Sequence, residues 1–143
     1  MNAKEYLSQA YHIDKLIRSK QEQAQMYRDI ATKMNAPLSN TPSSGANNVH
    51  CIEDSICAFI DLENEINADI RNLMQIKRDV SETINSVGNP TYQTLLELRY
   101  LCYKPWAEIA DAMNYERRYL LKLHKKALLK VDTKRHLKTH AKI

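Results

Sequence analysis

Residues 104–131 read Lys104-Pro-Trp106-Ala-Glu108-Ile109-Ala110-Asp-Ala-Met113-Asn114-Tyr115-Glu116-Arg117-Arg118-Tyr-Leu120-Leu121-Lys122-Leu123-His124-Lys125-Lys126-Ala127-Leu-Leu-Lys130-Val131. Proline in a first helical turn costs no hydrogen bond, so Lys104-Pro105 opens a short helix that runs to Met113. Asn114 is the best non-glycine residue for a turn with positive φ. A longer helix follows from Glu116 to about Lys130. In it Leu120, Leu123, Ala127 and Val131 recur at steps of three and four, the spacing of one helical face. That face is expected to pack on Ile109, Ala110 and Met113, with Tyr115 closing the end. A short helix, a tight turn and a longer basic helix make a helix-turn-helix arrangement.

The opposite face of the second helix carries Arg117, Arg118, Leu121, Lys122 and Lys125. Recognition helices touch base edges through their first turns, so Arg117 and Arg118 are the expected base-contacting residues. Lys125 and Lys126 lie farther along, where phosphates are the nearer partners, and Lys104 joins them as a phosphate contact. The charge distribution agrees. Residues 116–143 hold ten Lys/Arg against two acidic residues, a net of +8, whereas residues 1–115 hold eleven against fifteen, a net of −4. A basic end on a mildly acidic body reads as a polyanion-binding end, double-stranded DNA being the expected partner. An ordinary basic helix with a solubilising tail is the bland alternative.

Upstream, Gly88-Asn89-Pro90 supplies a helix C′ residue, an N-cap and a first-turn proline. A helix is expected from Pro90 to Cys102, with Leu95, Leu98 and Leu101 on its apolar face and Tyr92 and Leu96 flanking. Farther back, Tyr6, Ala10, Ile13, Ile17, Lys20, Ala24, Tyr27, Ala31 and Met34 alternate in steps of four and three, the coiled-coil period. A second seam runs Ile52, Ile56, Phe59, Glu63, Ile66, Ile70, Leu73, Lys77, Val80, Ile84, Val87, with charge at Glu63 and Lys77. Helices over about 2–34 and 50–87 would be about 50 and 55 Å long. Between them, residues 35–48 contain two prolines, a glycine and many Ser and Asn, and read as a flexible loop. The expected fold is all-α: a long two-helix antiparallel coiled-coil hairpin (1–87), a C-terminal helix-turn-helix domain (88–131) and a basic tail (132–143). A homodimer or four-helix arrangement through the coiled coil is the competing solution.

Residues from about Leu95 to Val131 resemble region 4 of bacterial sigma factors. The resemblance rests on Leu98-Arg99-Tyr100, on Trp106-Ala-Glu-Ile-Ala110, and on Met113 to Val131 with its Ala-Leu-Leu-Lys-Val ending. The whole chain is similar in layout to the small sigma-region-4-like regulators of phages and prophages of Gram-positive bacteria. That resemblance implies sequence-specific binding at promoter −35-like elements, with Arg117, Arg118, Leu121 and Lys122 facing the bases, and contact with the β flap of RNA polymerase. The expected location is the cytoplasm of a bacterial host, at the nucleoid. Two positions depart from the family pattern: Leu121 stands where a polar or basic residue is usual, and Asn114 replaces a common glycine. Nothing resembles sigma region 2, so the chain is not a complete sigma factor.

Other classes are disfavoured. Cys51, Cys57 and Cys102 form neither an even disulfide framework nor a Cys-x-x-Cys zinc pair. His136 and His140 are four apart, but they stand in the basic tail without a carboxylate, so no metal is expected. No nucleophile–base pair or phosphate-cradling glycine loop points to an enzyme or a cofactor. No apolar run is long enough to span a membrane, and the first ten residues lack a signal-peptide core. A small terminase subunit, which joins a helix-turn-helix to oligomerising helices in a ring, is the alternative to a transcription regulator.

Overall fold

The computed structural model describes residues 1–34 and 45–141, the side chains of residues 34 and 45–49 excepted. It contains α1 (Ala3–Met34), α2 (Gly45–Asn85), α3 (Pro90–Leu96), α4 (Trp106–Met113) and α5 (Arg117–Ala141), with α3 running on into a π-helical turn, Glu97–Leu101. Among the described residues there is no strand, and the fold is all-α. The flexible loop expected at 35–48 lies outside the described residues over 35–44, and from Gly45 onward the chain is already helical. The C-terminal residues expected as a tail continue α5 as far as Ala141.

The chain divides into two compact units, one of residues 1–13 and 73–143, the other of residues 14–72. The first unit thus takes in the start of α1 and the end of α2 together with α3 to α5.

In the first unit, one core joins Ala3 and Leu7 of α1, Val80 and Ile84 of α2, Val87, Leu96 and Tyr100 of the α3 segment, and Ala127 and Val131 of α5. Leu7, Val80, Ile84, Leu96 and Val131 are completely buried; each such side chain contributes about 1.5–3 kcal/mol. Ala127 and Val131, expected against Ile109 and Met113, therefore pack on the ends of the long helices instead. A second cluster joins Leu95, Ile109, Leu120 and Leu123, with Ala110, Met113 and Tyr115 packed against it, as the periodicity of α5 predicts. The start of α1 is fixed by a reciprocal cap: Glu5 N–H donates to Asn2 Oδ1 at 2.8 Å and Asn2 N–H to Glu5 Oε2 at 3.0 Å. Tyr6 and Thr83 hydroxyls meet at 3.2 Å, so an early turn of α1 lies beside a late turn of α2.

Local signals act as read at the α2–α3 junction. Gly88 has φ +77°, and Asn89 Oδ1 accepts from Thr91 N–H at 3.0 Å and Tyr92 N–H at 3.2 Å. On the apolar face expected for this segment, Leu95 is buried in the second cluster with Leu98 packed against it, and Leu101 packs against the first cluster. The π turn, with Cys102 N–H donating to Glu97 carbonyl at 3.0 Å, inserts an extra residue and rotates the following face. Leu95, Leu96 and Tyr100 are buried, while Leu98 and Leu101 are only half-buried.

In the second unit, α1 buries Ile17 and Ala24, and α2 buries Ser55 and Ile66. Lys20, the charged residue in the first seam, is half-buried, with Nζ at 2.6 Å from Asp69 and 3.5 Å from Glu65. The bond to Asp69 raises the Lys20 pKa above its ordinary value, against the effect of desolvation. The pairing places Glu65 and Asp69 of α2 beside α1. Ser55 is buried and Leu62 half-buried, whereas Ile56 and Glu63 are exposed. Glu63 is not in the seam.

Candidate functional site

The site is built on α4, the turn after it, and α5. Asn114 ends α4 in the left-handed conformation, φ 57° and ψ 41°. Tyr115 N–H donates to Ala110 carbonyl at 3.1 Å and Asn114 N–H to Asp111 carbonyl at 3.4 Å. This is a Schellman turn, and it uses the last free carbonyls of α4. Tyr115 packs beside Ala110 on the second core cluster, which sets the direction in which α5 leaves.

On α5, successive residues turn by about 100°. With Leu120, Ala127 and Val131 buried, Arg118, Lys122 and Lys125 point away from the core as one stripe, and all three are exposed. Arg118 and Lys125 are about 10 Å apart along the axis. Arg117, also exposed, is the first residue of α5, and exposed Lys126 lies on the flank beyond Lys122. Among the described residues, none of these five cations has an ion-pair partner. Lys104 is half-buried; its carbonyl accepts from Arg99 Nη1 at 3.0 Å. Leu121 sits on the opposite flank, 38% exposed, where it lines a groove with Tyr100, Trp106 and His124.

That groove was not foreseen from the sequence. His124 is buried, and its Nε2 lies 2.7 Å from the Tyr100 hydroxyl. Its ring meets Trp106 edge-on at 4.7 Å between centroids. The Arg99 guanidinium covers the Trp106 ring at 4.6 Å. Burial is the main cause that lowers the His124 pKa to about 4, helped by the positive charges of Lys4 and Arg99. Burial also raises the Tyr100 pKa to about 12, the Arg99 charge opposing it. At neutral pH the pair is therefore an uncharged phenol–imidazole contact. Tyr103 takes φ 58° just before α4. Its ring meets Tyr11 edge-on at 5.5 Å, and Lys77 Nζ lies 5.3 Å from its centroid. Lys77, a charged position of the second seam, is thereby accommodated by a cation–π contact. The signal for the cluster was present in Arg99-Tyr100 and Trp106, but nothing in the periodicity brings His124 to them.

Among the described residues no group of His, Cys, Asp and Glu is placed to hold a metal, and His136 and His140 are exposed on α5. No helix of the described residues is long and apolar enough to cross a membrane.

No curated protein and no solved structure matches the chain. A family model does match, over residues 43–132, which take in α2 from before its first turn, α3, α4 and α5 as far as Asp132. With that match covering more than half of its length, the chain belongs to the family described as "Protein of unknown function (DUF1492)".

Proposed function

We propose that this protein is a sequence-specific DNA-binding transcription regulator in which α4, the Asn114 turn and α5 act as a helix-turn-helix of the sigma region 4 kind. One observation carries the reading. Arg117 and Arg118 occupy the first turn of α5, where the helix macrodipole disfavours cations. They are exposed and, among the described residues, without an acidic partner. An arrangement that is unfavourable in the free protein is accounted for by an anionic partner lying across that end. Arg118, Lys122 and Lys125 continue the charge along one stripe, narrow enough for a major groove about 12 Å wide.

In this reading Arg117, Arg118 and Lys122 reach base edges, and Lys125, Lys126 and Lys104 hold phosphates. Leu121, on the flank, meets a thymine methyl or the wall of the groove beside it. The long helices pair as an antiparallel coiled coil that carries the DNA-binding end. Contact with the RNA polymerase β flap, action at −35-like promoter elements and a place at the nucleoid belong to the same proposal through the sigma region 4 resemblance.

The test is duplex binding across a salt series, together with the mass of the free protein. Each phosphate neutralised contributes a log–log slope of about −0.9. The reading expects a steep negative slope that becomes shallower by about one unit when Lys125 or Lys126 is replaced by Ala. A salt-independent affinity contradicts it. A large ring in solution favours DNA packaging over transcription.

A further inference from the structure

We propose that the groove beside α5 is a binding site for a small aromatic anion, with Lys4 and Arg99 holding the anionic group and Tyr11, Trp106 and Leu121 holding the ring. The site lies wholly in the unit of residues 1–13 and 73–143. It is walled by the first turns of α1, the π turn and the facing turns of α4 and α5. Its volume is about 480 Å³, within the range of small-molecule sites.

Its chemistry selects the charge of the ligand. Lys4 and Arg99 line the groove and no Asp or Glu does. Lys4 has no ion pair among the described residues. Arg99 is already held in place, its Nη1 bonded to the Lys104 carbonyl at 3.0 Å and its plane over Trp106, so little freedom is lost when it takes a ligand. Beside burial, both cations act on the imidazole of His124 and disfavour its protonation. The remaining walls select a ring. Tyr11 and Trp106 present aromatic surface, and Leu121 adds an apolar side chain to the same recess. The apolar residue on a face where a basic one is usual then has a role: it closes the pocket. A ligand seated there touches α5 directly, so occupancy would bear on whatever α5 binds. The proposal itself does not depend on the DNA reading.

The chain has a single tryptophan, Trp106, and it lines the groove. Its indole N–H therefore gives one NMR signal that reports the site. The full chain is titrated with benzoate, salicylate and adenosine monophosphate, and in parallel with benzamide and adenosine as uncharged counterparts. At least one anion should shift the signal saturably with Kd of about 1 mM or tighter, and its neutral counterpart should bind at least about tenfold more weakly. Lys4→Gln, at an exposed position, should weaken that anion about tenfold, whereas Lys33→Gln at the far end of α1 should not. No saturable shift with any of the anions up to about 10 mM overturns the proposal. So does equal binding of the neutral counterparts, or unchanged affinity in Lys4→Gln. A shift caused by a short DNA duplex and by none of the small anions reassigns the groove to DNA and likewise overturns it.

Discussion

Acidification should destabilise this protein through His124. The imidazole is buried against Tyr100 and Trp106, and its pKa is lowered from 6.5 to about 4. A base whose folded pKa is depressed takes up its proton first in the unfolded chain. The contribution to stability is therefore present above pH 6.5, is lost as the pH falls from about 6.5 toward 4, and changes no further below that. The full depression corresponds to at most about 3 kcal/mol at 1.36 kcal/mol per unit, which solvent at the groove mouth reduces to about 1–2 kcal/mol. The assay is urea denaturation at a series of pH values from 7.5 to 4.5 on the parent and on His124→Gln, which cannot titrate. Subtracting the two curves removes the carboxylates. The difference should fall by about 1–2 kcal/mol over that interval. A flat difference, or an NMR titration placing the His124 pKa at 6.5 or above, would refute the reasoning.

Ile84, completely buried where α1, α2 and α5 meet, should cost about 2–5 kcal/mol when replaced by Ala, measured by the same denaturation. It should also loosen α5, read as faster amide exchange at Ala127 and Val131. Asn114→Val should cost about 1–2 kcal/mol because a β-branched residue resists φ 57°, while Asn114→Gly should be close to neutral. Gly88→Ala meets no atom within 4 Å, so its cost should be backbone strain alone, about 1 kcal/mol, without change at neighbouring side chains.

Local chemistry was legible in the sequence. Gly88, Asn89 and Asn114 hold the conformations that their types favour, because caps and left-handed turns depend on a few adjacent atoms. The buried face of α5 was legible for the same reason, since Leu120, Leu123, Ala127 and Val131 keep the helical period through one uninterrupted element. What that face packs against was not, because the partners Ala3, Leu7 and Ile84 come from distant turns. Within the π turn Tyr100 is the buried residue, and nothing in Glu97–Leu101 announces an inserted position. Strict heptad counting puts Glu63 in a seam, whereas it is exposed and its neighbour Leu62 is half-buried; the Lys20 pair with Asp69 and Glu65 joins residues 45 or more positions apart, which no local count predicts. The exposed basic stripe of the candidate site followed from periodicity and charge. The groove did not, since Lys4, Arg99 and His124 are joined only by tertiary packing and Tyr103 adopts a positive φ unusual for a bulky residue.

The most direct measurement of the central claim is binding-site selection from random duplexes with the parent protein, Arg118→Ala and Lys126→Ala. Both positions are exposed on α5, so both variants should fold, and they remove the same charge. If α5 reads bases through its first turns, the parent selects a defined motif. Arg118→Ala then loses discrimination at one base pair and about 1–3 kcal/mol on the parental site. Lys126→Ala keeps the motif and weakens all sequences alike. An identical motif from all three proteins, or no motif from the parent, would contradict the account.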